Sequence, residues 1–174
     1  MKQGKVILDI SESDKIEIEQ LRPILDNINN IDLATADKIM DEIYHNQPFM
    51  LSVILGFRFD LLPEEHGEVI KMGMIIWEFF KDKNGIKTKR VTQKQFERLQ
   101  KRNIYLLKYL EGEPDQFDKL NITAIDMNKV KSKALLSVIW FRFEEIVSLK
   151  MMTAKNKGLA LLGIKSLIEC LDEI

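Results

Sequence analysis

One cysteine, two histidines and four prolines in 174 residues, with no excess of charge of either sign, exclude several kinds of chemistry before any motif is sought. Cys170 has no second thiol to pair with, so an internal disulfide is impossible and the chain fits a reducing compartment, with the cytoplasm expected. His45 and His66 are too few for a His-rich metal site. No uninterrupted apolar run approaches the ~18 residues that a bilayer span requires. The apolar stretch near the start, Val6-Ile7-Leu8, is far too short for a secretory core, so no membrane association is expected. Lys and Arg total 26 against 27 Asp and Glu, a formal charge of −1, which excludes a globally basic or a strongly acidic protein. Neither Ser52 nor Ser137 has a histidine and an acid arranged near it, and a hydroxyl bonding back to a helix carbonyl is the expected role. With no catalytic, metal or cofactor motif on view, the chain reads as non-enzymatic and cofactor-free.

What the sequence does hold is a near-repetition. Leu51-Ser52-Val53-Ile54 is followed two residues on by Phe57-Arg58-Phe59-Asp60, and Leu136-Ser137-Val138-Ile139 is followed after Trp140 by Phe141-Arg142-Phe143-Glu144. Self-similarity of this kind points to a duplicated helical unit. The expected fold is therefore all-α: two related helical hairpins in a HEAT-like or bundle arrangement, joined by a bridging amphipathic helix. Within a single helical domain spanning 1–174, the N-terminal helices occupy 1–47, the first hairpin 48–82, the bridging helix 91–111 and the second hairpin 126–174. Because one copy carries Leu55-Gly56 where the other has only Trp140, a π-bulge near Gly56 is expected to restore register.

Local signals set the element ends. Val6–Ile10 reads as an extended arm or edge strand. Ser11 or Ser13 caps a helix whose stripe is Ile16, Ile18, Leu21, Ile24, Leu25 and Ile28, and Pro23 is expected to kink or split it. Asp32 or Thr35 caps the next, with Ile39, Met40 and Ile43 inward. Pro48 and Pro63 each take a first helical position, and Phe49–Leu62 between them is apolar all round, as a central helix would be. Asp82-Lys83-Asn84-Gly85 is a loop. Thr92-Gln93-Lys94-Gln95 fits a capping box, with Val91 stapled to Phe96. A long helix from about Met127 to Met151, capped by Asp126, and a last one capped by Thr153 complete the pattern. Gly67, Gly73, Gly158 and Gly163 lie inside helices, where each costs up to ~1 kcal/mol against alanine, and close helix approach is the expected reason.

Charge is unevenly spread. Residues 1–80 carry 7 Lys/Arg and 15 Asp/Glu, whereas residues 81–111 carry 10 and 3. The acidic first half is expected to answer the basic block within or between chains, so self-association is one expectation. Candidate binding residues in the basic segment 81–102 are Lys87, Lys89, Arg90, Lys94, Arg98, Lys101 and Arg102, which could contact the phosphates of a nucleic acid. Arg58 and Arg142 sit among apolar residues, where a guanidinium needs a carboxylate partner or an anionic ligand in a cleft between the repeats. Phe57 and Phe141 are read as core. Glu64, Glu65 and Glu68, followed by Glu78 and Asp82, resemble the acidic helices of all-α nucleotide pyrophosphohydrolases of the MazG and dimeric dUTPase kind, where facing carboxylates hold magnesium. Glu144-Glu145 with Glu169 and Asp172 comes nearer to that family's spacing but lacks the third acid of the first cluster. The leading expectation is a helical protein acting by protein-protein contact, as an adaptor, regulatory or neutralising partner. A nucleic-acid-associated protein and a magnesium-dependent hydrolase are the alternatives.

Overall fold

The computed structural model describes residues 11–174, and among them the regular structure is all-α, with nine helices and no strand. In chain order these are α1 (Glu12–Asn29), α2 (Leu33–Asn46), α3 (Pro48–Gly56), α4 (Pro63–Phe80), α5 (Gln93–Gly112), α6 (Gln116–Met127), α7 (Lys133–Glu145), the single turn α8 (Val147–Lys150) and α9 (Ala154–Asp172). The arm or strand expected at Val6–Ile10 lies outside the described residues. α4 is the hub, packed by α1, α2, α3, α7, α8 and α9. Its Met72, Ile75, Ile76 and Trp77 have no exposed surface. The Trp77 indole N–H is not wasted there, since it donates to Glu42 Oε2 at 3.1 Å.

Several starts follow the local rules. Ser11 caps α1 in a capping box with Asp14, and Asp32 caps α2 by accepting the Thr35 N–H. Pro48 and Pro63 open α3 and α4, and the buried Glu65 accepts the Leu62 N–H at 2.9 Å. Thr92 caps α5, but Gln95 does not return the bond as a capping box would; its amide reaches Cys170 O and Glu173 on α9 instead. Gln47, 1% exposed, pins the loop between α4 and α5 by donating to the Ile86 and Lys89 carbonyls and accepting the Val91 N–H.

Pro23 does not split α1: the helix runs unbroken from Glu12 to Asn29. The proline sits on the exposed face, where the carbonyl it leaves unpaired can turn to water. Leu21 and Ile28 on either side are buried, and Gln20 donates to Phe79 O, so tertiary packing overrides the local break. Ile16 and Ile18, expected in the stripe, are 66% and 44% exposed.

The continuous helix expected over Met127–Met151 is in fact two, α7 and α8, preceded by a turn. Asp172, at the far end of α9, accepts the N–H groups of Lys131 and Ser132, both at 3.1 Å, and the Ser132 hydroxyl at 2.6 Å. Glu17 on α1 takes the Ala134 N–H at 3.2 Å. Two carboxylates from distant helices thus cap α7, which satisfies its free amides and complements its dipole. Asp126 caps nothing; it forms an ion pair with Lys165.

The duplicated strings share one half and diverge in the other. Leu51 and Leu136 are buried, as are Ile54 and Ile139, while Val53 and Val138 are both half-buried. After that the backbones differ. In the first unit α3 stops at Gly56 and a 3₁₀ turn covers Phe57–Phe59, so no π-bulge forms; in the second, α7 runs straight on to Glu145. Hence Phe57 is buried and Phe59 80% exposed, whereas Phe141 is 61% exposed and Phe143 buried. The core assignment of Phe141 is thereby corrected to Phe143. Of the interior glycines, Gly73 meets the Ile54 side chain, and a Cβ on Gly163 would come to 2.6 Å from Phe57 Cζ; Gly67 and Gly158 have nothing within 4 Å. α5 lies along α9, and its first turn reaches the first unit through the edge-to-face pair Phe96–Phe49, 5.6 Å between centroids.

Truncation of Phe57 or Phe143 to alanine is expected to cost about 3–5 kcal/mol. The same change at Phe141 should stay within about 0.5 kcal/mol. Urea denaturation of the three variants checks this, and equal losses at Phe141 and Phe143 would contradict the placement of the two rings.

Candidate functional site

The duplicated arginines do not form a pair. Arg58 is exposed and lies over the Phe59 ring, 4.7 Å from its centroid. Arg142 is buried, donating to Asn29 Oδ1 at 2.8 Å and Glu68 Oε2 at 3.0 Å, with its Nε unpartnered. The two therefore have different surroundings: Arg58, in the 3₁₀ turn, faces outward, while Arg142, in the straight helix, is turned inward. Arg142 joins the end of α1 to the start of α4, a structural post.

The basic segment is largely spent within the fold. Arg98 donates to Glu173 at 2.5 Å and Arg102 to Glu169. Lys87 faces Asp82 at 3.5 Å, Lys89 reaches the Ile174 carbonyl and Arg90 the His45 carbonyl. Lys101 lies 5.9 Å from the Tyr105 ring centroid, and Lys94 is exposed. Of the three basic residues Arg98, Lys101 and Arg102, the two guanidinium groups turn onto acids at the end of α9. The principal answering acids come from the last turns of α9 rather than from the acidic first half. The guanidinium donated to Glu173 holds that carboxyl below its usual value.

The carboxylates of the hydrolase reading are dispersed. Glu68 binds Arg142 and Lys71, Glu78 binds Lys81, and Asp172 caps α7. Among the described residues no group of three or more His, Cys, Asp or Glu converges as metal ligands would. His45 and His66 each meet a helix carbonyl, Asp41 O and Ile54 O, and Ser52 donates back to Phe49 O as expected. Cys170 is fully buried, and burial pushes its thiol up to about 12, with Glu173 and Glu169 adding to the shift. Such a thiol is inert at neutral pH.

Two features emerge that the sequence analysis did not single out. The first is an apolar groove of about 190 Å³ walled by α5, α6, α7 and α9, with Leu106, Leu110, Leu136, Trp140, Leu161 and Leu162 on its sides. The second closes one end of it. Asn103, 1% exposed, donates to Ser166 Oγ at 3.0 Å and Glu169 Oε2 at 2.8 Å; Lys165 donates to Asn103 Oδ1 at 2.7 Å and Glu169 at 2.5 Å, and faces Asp126 at 3.1 Å. In so densely bonded a network each member depends on the others. The sequence signal was present but faint: Asn103, Ser166 and Glu169 interrupt apolar helix registers. A further cleft of about 190 Å³ has Glu17, Lys83 and Asp172 among apolar neighbours such as Phe80 and Leu171, and burial holds the Glu17 carboxyl above its usual value. Both of its acids already accept backbone N–H groups, Glu17 from Ala134 in α7 and Asp172 from Lys131 and Ser132 just before it.

No family model, curated protein or solved structure matches this chain. Among the described residues no helix is long and apolar enough to cross a membrane.

The Arg98–Glu173 pair has a definite pH signature. Because the Glu173 carboxyl is held below its ordinary value of 4.5 in the folded state, its contribution is complete above that value and is lost as pH falls through the lowered one. Arg98→Gln should therefore lower the melting temperature slightly at neutral pH, with the gap to wild type closing on acidification below about pH 4. A gap that holds or widens in acid would contradict the pairing.

Proposed function

We propose that this chain is a non-enzymatic all-α protein that acts through contact with another protein. The observation that carries this reading is a set of large apolar side chains left bare at the turns of one end of the bundle. Phe59 is 80% exposed, Leu33 79%, Met151 78%, Val147 75% and Leu62 63%. Hydrogen bonds gather these turns: Arg142 joins the end of α1 to the start of α4, and Asn156 at the start of α9 donates to Asp60 O in the turn after α3. Single exposed apolar residues are ordinary, but a cluster of them marks an interaction surface. Arg58, stacked on Phe59, supplies the kind of cation and ring that interface centres favour.

The dispersal of the carboxylates over separate partners supports a non-enzymatic reading, and the commitment of Arg98 and Arg102 to α9 makes the nucleic-acid alternative the weaker one. We read α3–α4 and α7–α9 as two related hairpins in a HEAT-like or bundle arrangement, supported by the matched burial of Leu51 with Leu136 and Ile54 with Ile139. A cytoplasmic setting belongs to the same proposal and suits a lone reduced thiol.

The test compares wild type with the double variant Phe59→Ser, Met151→Ser, each cross-linked in its native cell and each sedimented alone over a range of concentrations. A protein captured by wild type and lost by the variant at unchanged melting temperature is the expected result. Self-association lost in the same way would make the partner a second copy. Capture unchanged in the variant, or capture only of nucleic acid released by salt, would refute the reading.

A further inference from the structure

We infer that the groove between α5, α6, α7 and α9 is a binding site for a small amine with one ring-sized apolar body. The inference is independent of the partner surface, which lies on other turns. Size sets the first limit. The groove's volume of about 190 Å³ falls well below the ~300 Å³ at which drug-sized ligand sites begin. It slightly exceeds the ~150 Å³ of a dry, leucine-lined cavity that takes benzene. One ring or one branched alkyl group fills it.

Hydrogen-bonding capacity sets the second limit. Of the polar residues on the lining, Asn103 has both amide hydrogens engaged, by Ser166 and Glu169. Lys165 gives its hydrogens to Asn103 and Glu169 and faces Asp126. Thr123 donates its hydroxyl to Lys119 O. The Trp140 indole, 51% exposed, lies where water can serve it. Acceptance is the reverse case. Asp126 is 9% exposed and meets the Lys165 ammonium through Oδ2 alone, so among the described residues its Oδ1 has no bond. Lys165 is drawn more closely to Glu169, at 2.5 Å against 3.1 Å, which leaves Asp126 the least satisfied charge of the cluster. A ligand entering the groove thus finds a spare carboxylate oxygen at its polar end and no spare ammonium or amide donor. An ammonium is welcomed there and a carboxylate or phosphate is repelled.

Gly158 fits the same picture. It lies in the second turn of α9 on the groove wall, and an added Cβ would meet nothing within 4 Å. No packing contact repays its cost in helix propensity, unlike that of Gly163. Gly67 also faces open space, so the glycine alone signifies little; its position on the wall means that a side chain there would occupy the groove.

Three probes of matched size test the site: phenethylamine, phenylacetate and ethylbenzene, titrated against the full chain with binding followed by Trp140 fluorescence and calorimetry. Phenethylamine should bind saturably and about tenfold or more tighter than phenylacetate, the ratio that one charge-assisted hydrogen bond supplies. Asp126→Asn should bring the two to parity. Gly158→Leu should abolish binding of all three while the unfolding midpoint holds or rises, and this variant decides the matter even if Asp126→Asn fails to fold. Equal affinity for the amine and the acid in wild type, binding that survives Gly158→Leu, or no saturable binding of any probe would each overturn the inference.

Discussion

Three carboxylates at the end of α9 hold the second half of this protein in place. Glu169 takes hydrogen bonds from Arg102, Asn103 and Lys165, Asp172 caps α7, and Glu173 binds Arg98 and Gln95. Acids at a helix C-terminus oppose the dipole and repel one another, so α9 carries a local cost that only these partners offset. The return is geometric: α5 is fixed along α9, and α7 begins where Asp172 meets it. The groove lies where the apolar sides of α5, α6, α7 and α9 meet, with the polar network at one end of it.

The first half is organised differently. α4 sits at the centre of an apolar core from which charge is almost wholly excluded, and the ion pairs that touch it, Lys71–Glu68 and Lys81–Glu78, run along its own surface. Arg142 is the exception, reaching from α7 to Glu68 and Asn29. Apolar packing thus specifies the first half and a buried polar network the second. Burial of this kind is costly unless every group is answered, and among the described residues the one orphaned buried side-chain atom is Arg142 Nε.

The sequence was informative wherever structure is decided within a few residues. Pro48, Pro63, Asp32, Thr92 and Thr153 all mark helix starts, and the repeated Leu-x-Val-Ile segment predicted matching burial. It misled where a distant residue decides. The break before α7 depends on Asp172, forty positions away, and Pro23 is tolerated because Leu21 and Ile28 are anchored in the core. Phe-Arg-Phe occurs twice, yet its residues point in opposite senses because α3 ends at Gly56, just ahead of the first copy, whereas α7 runs through the second to Glu145. The groove was invisible for the same reason, its walls being drawn from four helices between Asn103 and Lys165. Asn103 and Glu169 left the clearest trace, as polar residues at positions an apolar stripe should occupy.

A double-mutant cycle on Asn103 and Glu169 tests most directly whether the polar end of α9 organises the second half. Glu169→Ala alone should destabilise by about 3–5 kcal/mol, since it leaves Lys165 and Asn103 buried without their acceptor. Asn103→Ala in that background should then cost much less than in wild type, a coupling on the order of 1–3 kcal/mol. Losses that add within about 0.5 kcal/mol, or a Glu169→Ala protein as stable as wild type, would contradict the account.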